Sequence, residues 1–242
     1  MTGTLAILVF IALYGISING GQNGKRLFLS GIIVHSGYVL YRWIHLGWMP
    51  VTERHDILLV MALLVAFSFF YFQKKASDRM LLDVLPLFVI FLSFFGLFQV
   101  RFDTIDPNMN SGWFSMYIIF FLLGYAFFTV STVSGVMYIR GKWSLFEMIQ
   151  YRTALFGWLL FSLSLVGGSV WFYLAYGSYW LWTAKELWIT IVWFYYSFYL
   201  HTRMMRSLSG TPSTIIGLCG FPVIIFAYLG VMPILGSPWS QF

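Results

Sequence analysis

The chain has 242 residues, of which 60% are hydrophobic, 21% aromatic and only 9% charged. Soluble domains carry about 25% charged residues, so this composition excludes an ordinary cytoplasmic globule and a disordered chain, both of which need far more polar surface. The formal net charge of +6 is scattered, with no basic run longer than two residues, which points to membrane orientation and not to nucleic-acid binding.

A mean hydropathy of +0.82 fits a chain dissolved in lipid. A span needs about 20 residues, and backbone groups in hydrocarbon must be satisfied within their own segment. The expected fold is therefore all-α, a polytopic integral membrane bundle of about eight transmembrane helices. The apolar segments run over 3–19, 27–47, 57–73, 80–100, 113–139, 154–175, 187–205 and 211–235. They are too long for barrel strands and show no strict alternation. The first lacks a positive n-region and a small-residue cleavage site, so it is expected to remain as a helix. No repeat or low-complexity linker interrupts the pattern, and residues 1–242 read as a single domain. Cys219, the one cysteine, excludes an internal disulfide, a thiolate metal cluster and a haem attached through C-x-x-C-H.

Orientation follows from the basic residues. Lys25, Arg26, Lys74, Lys75, Arg79, Arg140, Lys142, Arg152, Arg203 and Arg206 all follow segments one, three, five and seven; Arg42, Arg54, Arg101 and Lys185 do not. The positive-inside rule places the larger group in the cytoplasm, with both termini extracytoplasmic. The outer loops then hold Glu53, Asp56, Asp103, Asp106 and Glu186. A bacterial inner (plasma) membrane is the expected location.

Ionisable groups at membrane depth are functional candidates by default. His35 in segment two and His201 near the end of segment seven are expected at comparable depth in the cytoplasmic half. Two neutral imidazoles from different helices can serve as axial ligands of a haem iron, and helical bundles build such sites between facing helices. The alternative is that each hydrogen-bonds a neighbouring carbonyl or hydroxyl. His45 and His55, beside Arg54 and Asp56, read as a solvated polar loop or as a second metal site. Arg42 shares a helix face with His35; it suits a haem propionate or snorkels to lipid phosphates. Segments six and seven are joined by Tyr176-Gly177-Ser178-Tyr179-Trp180-Leu181-Trp182-Thr183-Ala184-Lys185-Glu186-Leu187-Trp188. This is either an interfacial aromatic belt or an apolar shelf for a flat ligand, with Trp180 and Trp182 as its rings. Asp83 and Pro222 are the remaining polar or helix-breaking features of the spans.

That loop resembles the tryptophan-rich WWD signature of the CcsA (ResC-type) cytochrome c assembly family, the haem-handling component of system II. Its pattern runs roughly W-G-x-x-W-x-W-D-P-K-E-x-W. Gly177, Trp180, Trp182, Lys185, Glu186 and Trp188 match, and the likeness continues through Trp193 and Tyr199-Leu200-His201-Thr202-Arg203. The stretch His35-Ser36-Gly37-Tyr38-Val39-Leu40-Tyr41-Arg42-Trp43, with Gly47 and Pro50, looks like the family's other recognisable piece; Trp113 and Gly124-Tyr125 look like the segment before the signature. The resemblance implies a helical membrane bundle that binds haem at two levels, with His35 and His201 falling on the membrane pair. The departures are equally specific. Tyr176 replaces the first tryptophan of the signature, Thr183 its aspartate and Ala184 its proline. The external histidines fall on Tyr117 and Trp239, and the histidine of the loop after segment two falls on Trp48. A divergent member is implied, with its inner haem site intact and its outer one dismantled.

Three functions follow as expectations. The first is a haem-b subunit with non-covalent bis-histidine ligation, passing electrons from the membrane (quinol) to an extracytoplasmic c-type cytochrome or other redox partner, within a complex of membrane subunits and with quinone as a second cofactor. The second is cytochrome c biogenesis, in which haem is handled or exported for attachment to apocytochrome c. The third is a non-haem transporter or regulatory membrane protein. Whether the chain is itself an enzyme is left open, as is any catalytic residue.

Overall fold

The structure is a computed structural model and describes residues 2–47, 49–51, 54–98 and 111–230. The described residues form eight α-helices: α1 (Thr2–Asn19), α2 (Gly24–Leu46), α3 (Arg54–Phe72), α4 (Asp78–Leu97), α5 (Gly112–Gly141), α6 (Ser144–Tyr176), α7 (Ala184–Thr202) and α8 (Thr211–Ile225). Six are long and apolar enough to cross a membrane: Gly21–Leu46, His55–Phe72, Asp78–Leu97, Gly112–Gly141, Ser144–Tyr176 and Thr211–Tyr228. α1 is apolar throughout Gly3–Asn19, whereas α7 carries Lys185, Glu186 and His201 at its ends. The chain is an integral membrane protein with an all-helical fold.

Most helix limits fall within a few residues of the apolar runs. α6 is the exception, beginning at Ser144, ten residues ahead of its apolar run. Its first turns carry Glu147, Gln150 and Arg152, which interrupt the hydropathy. Yet Phe146, Ile149, Gln150 and Thr153 are buried on one face, and that face continues the helix. α8 ends at Ile225 and passes into a π-helical turn over Phe226–Gly230; the last part of the expected eighth segment, 231–235, lies outside the described residues.

By contacts the chain divides into two compact units, residues 1–105 and 106–242. In the first, α1 packs on α2 and α4, and α3 packs on α4 and α2. Phe10, Tyr14, Phe28, Phe69, Leu85 and Leu92 are wholly buried there. Small residues permit the close approaches: a side chain at Gly31 would strike the Tyr14 ring, with Cε1 at 2.8 Å.

In the second unit, α5 and α6 make the most extensive pairing, with α8 against α5 and α7 against α8 and α6. Lipid gives no hydrophobic drive between helices, so association rests on close packing through small residues. Gly124 and Gly157 face each other across α5 and α6. A Cβ on Gly157 would lie 2.9 Å from Phe128 Cδ1 and 3.1 Å from the Gly124 carbonyl. Gly168 likewise takes the Tyr117 ring, with Cδ2 at 2.8 Å. Ser111 caps α5 by accepting from the Phe114 N–H at 3.1 Å. Replacing Gly157 by Val should lower the stability of the detergent-solubilised protein by about 1–3 kcal/mol, the usual cost of overpacking. Gly15→Ala, with open space at its Cβ, should change it little. Thermal unfolding of the two variants side by side checks the contrast.

Candidate functional site

In the first unit one face of α2 carries His35, Tyr38 and Arg42, all buried, at spacings of three and seven that share a helix face. The His35 imidazole stacks on Phe10 of α1, with ring centroids 4.0 Å apart and planes 8° apart. Its Nδ1 lies 3.5 Å from the Tyr14 hydroxyl. The Leu59 backbone lies within hydrogen-bonding reach of the ring, although Nε2 makes no hydrogen bond of good geometry. His35 is 0% exposed.

Tyr38 and Arg42 meet polar partners on α3. The Tyr38 hydroxyl and His55 Nε2 are 3.0 Å apart, and His55 Nδ1 is 2.6 Å from the Gly96 carbonyl on α4. A carbonyl only accepts, so Nδ1 carries the proton and Nε2 accepts from the phenol. Three helices are tied through this one imidazole. Arg42 Nε and Nη2 donate to Asp56 Oδ1 and Oδ2 at 2.9 and 2.7 Å, a bidentate pair whose partners are 3% and 2% exposed.

Three expectations are corrected here. His55 and Asp56 do not belong to a solvated loop: both lie buried in the first turn of α3. Tyr38 and Arg42 supply the partners without which burial would be costly. Arg42 does not snorkel to lipid phosphates, because Asp56 holds its guanidinium inside. Nor do His45 and His55 make a second metal site. His45 is exposed and stacked on Tyr41 at 5.7 Å, and both nitrogens of His55 are engaged. Among the described residues no group of three His, Cys, Asp or Glu could hold a metal ion.

In the second unit His201 occupies the last turn of α7 and is exposed. Its Nδ1 donates to the Ser197 carbonyl at 2.7 Å, which leaves the Nε2 lone pair unused. Ser197 is itself anchored to α6: its Oγ accepts from Trp158 Nε1 at 2.7 Å. Trp193 Nε1 adds a second tie to α6, donating to Ser162 Oγ at 2.9 Å. His35 and His201 belong to different units.

The tryptophan loop begins where Gly177, at φ +72°, ends α6. Tyr173 and Tyr179 stack at 4.4 Å, and the Ser178 hydroxyl donates to the Trp180 carbonyl at 3.0 Å. Trp180 and Trp182 meet edge to face at 6.4 Å. Trp182 takes a left-handed backbone at φ +55°, rare for a bulky residue, and is 69% exposed. The next residue fixes it. Thr183 is the N-cap of α7, its hydroxyl accepting from the Glu186 N–H at 3.4 Å while Glu186 Oε2 accepts from the Thr183 N–H at 3.1 Å. This capping box explains two departures from the signature. Asp and Thr are both favoured N-caps, and proline is favoured at the first helical position that Ala184 occupies. The substitutions remove a charge and keep the helix start.

Tyr117 is buried and stacks on Trp171 with planes 9° apart. Trp48 and Trp239 lie outside the described residues. The sequence does not single out Phe10, Tyr14, Tyr38 and Ser197 as partners of the histidines. Of these only Tyr38, three residues from His35, and Ser197, four before His201, carry a local periodic signal.

Residues 48–236 match the family model described as cytochrome C assembly protein. The chain belongs to the cytochrome c assembly protein family. Among the relatives of this family member, the cytochrome c biogenesis protein CcsA of Guillardia theta is 25% identical over 227 residues, covering 78% of this chain and 75% of the relative. That of Cuscuta exaltata is 28% identical over 254 residues, covering 87% and 82%. Among solved structures, a cytochrome c heme lyase CcmF superposes with a TM-score of 0.68 at 16% identity, covering 98% of this chain and 51% of that one. The chain thus spans about half the length of that protein, and the likeness is one of fold. The membership agrees with the CcsA-type resemblance of the tryptophan loop.

Removing one member of a buried ion pair costs about 3–5 kcal/mol, so Asp56→Ala should destabilise the protein by that order, as read by unfolding in detergent. At the loop, Thr183→Asp should be tolerated, whereas Thr183→Ala should cost about 1 kcal/mol and alter the fluorescence of Trp180 and Trp182.

Proposed function

We propose that this family member handles haem in cytochrome c assembly, with His35 and His201 as axial ligands of a non-covalent b-type haem, each through Nε2. The state of three imidazoles supports this reading. A metal-bound histidine keeps its second nitrogen hydrogen-bonded, which fixes tautomer and ring orientation. His201 Nδ1 is held by Ser197 and His35 Nδ1 faces Tyr14, while His35 Nε2 makes no hydrogen bond and, in this reading, His201 Nε2 is the atom left for the iron. His55, with both nitrogens engaged, is structural.

The donor set fits. Two neutral imidazoles are the ordinary ligands of a low-spin haem, which when bound supplies reversible one-electron chemistry. Phe10 and Tyr14 hold the His35 ring, and the Arg42–Asp56 pair holds α2 against α3. Trp158 and Ser197 hold the turn that carries His201. Trp180 and Trp182 offer apolar ring faces at the loop, suited to a flat ligand or to the apocytochrome that receives it. Apocytochrome c and further membrane subunits are the partners of this reading.

A second reading is electron transfer from quinol to an extracytoplasmic c-type cytochrome. It is favoured by one observation: the loop over 176–188 holds no histidine, and Tyr117 is packed inside the unit and offers no outer ligand. A reduced-minus-oxidised spectrum of the purified protein should show a low-spin α band. His35→Ala or His201→Ala should abolish it and His45→Ala should leave it; a colourless wild-type protein would refute both readings. Deletion of the gene separates them. Loss of covalent haem from every c-type cytochrome supports assembly, and retention supports electron transfer.

A further inference from the structure

Four polar atoms at one end of the second unit are buried without a hydrogen-bond partner: Gln150 Oε1 on α6, Tyr199 OH and Arg203 Nε at the end of α7, and Thr214 Oγ1 on α8. Gln150, Tyr199 and Thr214 are each 0% exposed. They are neighbours. Gln150 Nε2 donates to the Thr214 carbonyl at 3.2 Å. A Cβ on Gly217 would meet both the Gln150 amide and the Tyr199 ring, with Cε2 at 2.9 Å, and a Cβ on Gly135 would lie 2.6 Å from Gln150 Nε2. The two glycines make room for the Gln150 amide, which a side chain at either position would strike. Tyr199 faces Arg203, Glu147 and Tyr151.

Toward the surface the group is closed by an ion pair. Arg203 Nη1 donates to Glu147 Oε1 and to Ser213 Oγ, the latter at 3.0 Å. The same carboxylate oxygen accepts from the Gly210 N–H at 2.8 Å, and the guanidinium lies over the Tyr151 ring. Glu147 and Arg203 are each 17% exposed, whereas Gln150, Tyr199 and Thr214 are fully buried.

Hydrocarbon supplies no hydrogen bonds, so polar atoms left bare at membrane depth are expensive. The set comprises one N–H donor, one carbonyl acceptor and two hydroxyls that do both. An anion would meet the Glu147 carboxylate and the Gln150 carbonyl. An apolar molecule would satisfy none of the four. Water is neutral and compact and both donates and accepts, and buried waters typically bridge two to four otherwise unsatisfied groups. We infer that α6, α7 and α8 enclose a bound-water site lined by Gln150, Tyr199, Arg203 and Thr214 and closed by the Glu147–Arg203 pair. The site would place a water beside the Tyr199 phenol, two residues from His201 on α7. It stands independently of haem ligation.

Millisecond X-ray hydroxyl labelling of the protein in lipid nanodiscs, read by mass spectrometry, tests it, because radicals born from a bound water mark the rings beside that water. Tyr199 should label several-fold faster than Tyr125, which is 2% exposed in the same unit. In Gln150→Leu/Thr214→Val the Tyr199 rate should fall to that of Tyr125, with exposed Tyr179 unchanged as the dose control. Equal rates for Tyr199 and Tyr125 in the wild type, or a Tyr199 rate that survives the double substitution, would overturn the inference. The wild-type ratio decides by itself if the variant does not fold.

Discussion

Hydrocarbon offers no partner to a polar group, so every buried donor and acceptor must find one inside the chain or serve a ligand. This constraint sorts the histidines. His55 spends one nitrogen on Gly96 and the other on Tyr38, and so clamps α2, α3 and α4 together. His35, on the same face of α2 as Tyr38, is equally buried but has one nitrogen facing Tyr14 and the other bare. Arg42 and Asp56 neutralise each other nearby. The buried charges of Arg42 and Asp56 in the first unit thus cancel each other, and His35 Nε2 and Ser93 Oγ are left among the buried atoms without a hydrogen bond.

The tryptophan loop obeys a different rule. Its shape depends on backbone capping more than on contacts between its rings. Gly177 ends α6 in a left-handed conformation, and the Thr183–Glu186 box starts α7. Between them Trp182 is held at a positive φ and turned outward. The exchange of Asp for Thr at the cap therefore leaves the loop geometry in place while removing a carboxylate from its surface. Divergence from the family pattern here is electrostatic and not architectural.

Much of the fold was legible in the sequence because apolar run length reports directly on span length. The start of α6 was not, since Glu147, Gln150 and Arg152 interrupt its hydropathy while Phe146 and Ile149 keep one face buried. His55 and Asp56 read as loop residues because what buries them, Tyr38 and Arg42, sits on another helix. Hydropathy averages along one helix and carries no trace of a pair formed between two. The tryptophan loop, by contrast, is a contiguous motif, and the family membership it pointed to holds. The stacking of Phe10 on His35 joins residues on separate helices and has no local signal at all.

The central proposal is that His35 and His201 each offer an Nε2 to one haem iron. Pulsed electron paramagnetic resonance on the ferric protein, with histidine labelled with nitrogen-15 at its ring positions, reads this directly. Two strongly coupled imidazole nitrogens on a low-spin iron, reduced to one by loss of either histidine, are the predicted result. A ferric centre with one or no histidine nitrogen, or with both couplings intact after His35→Ala, would contradict the account.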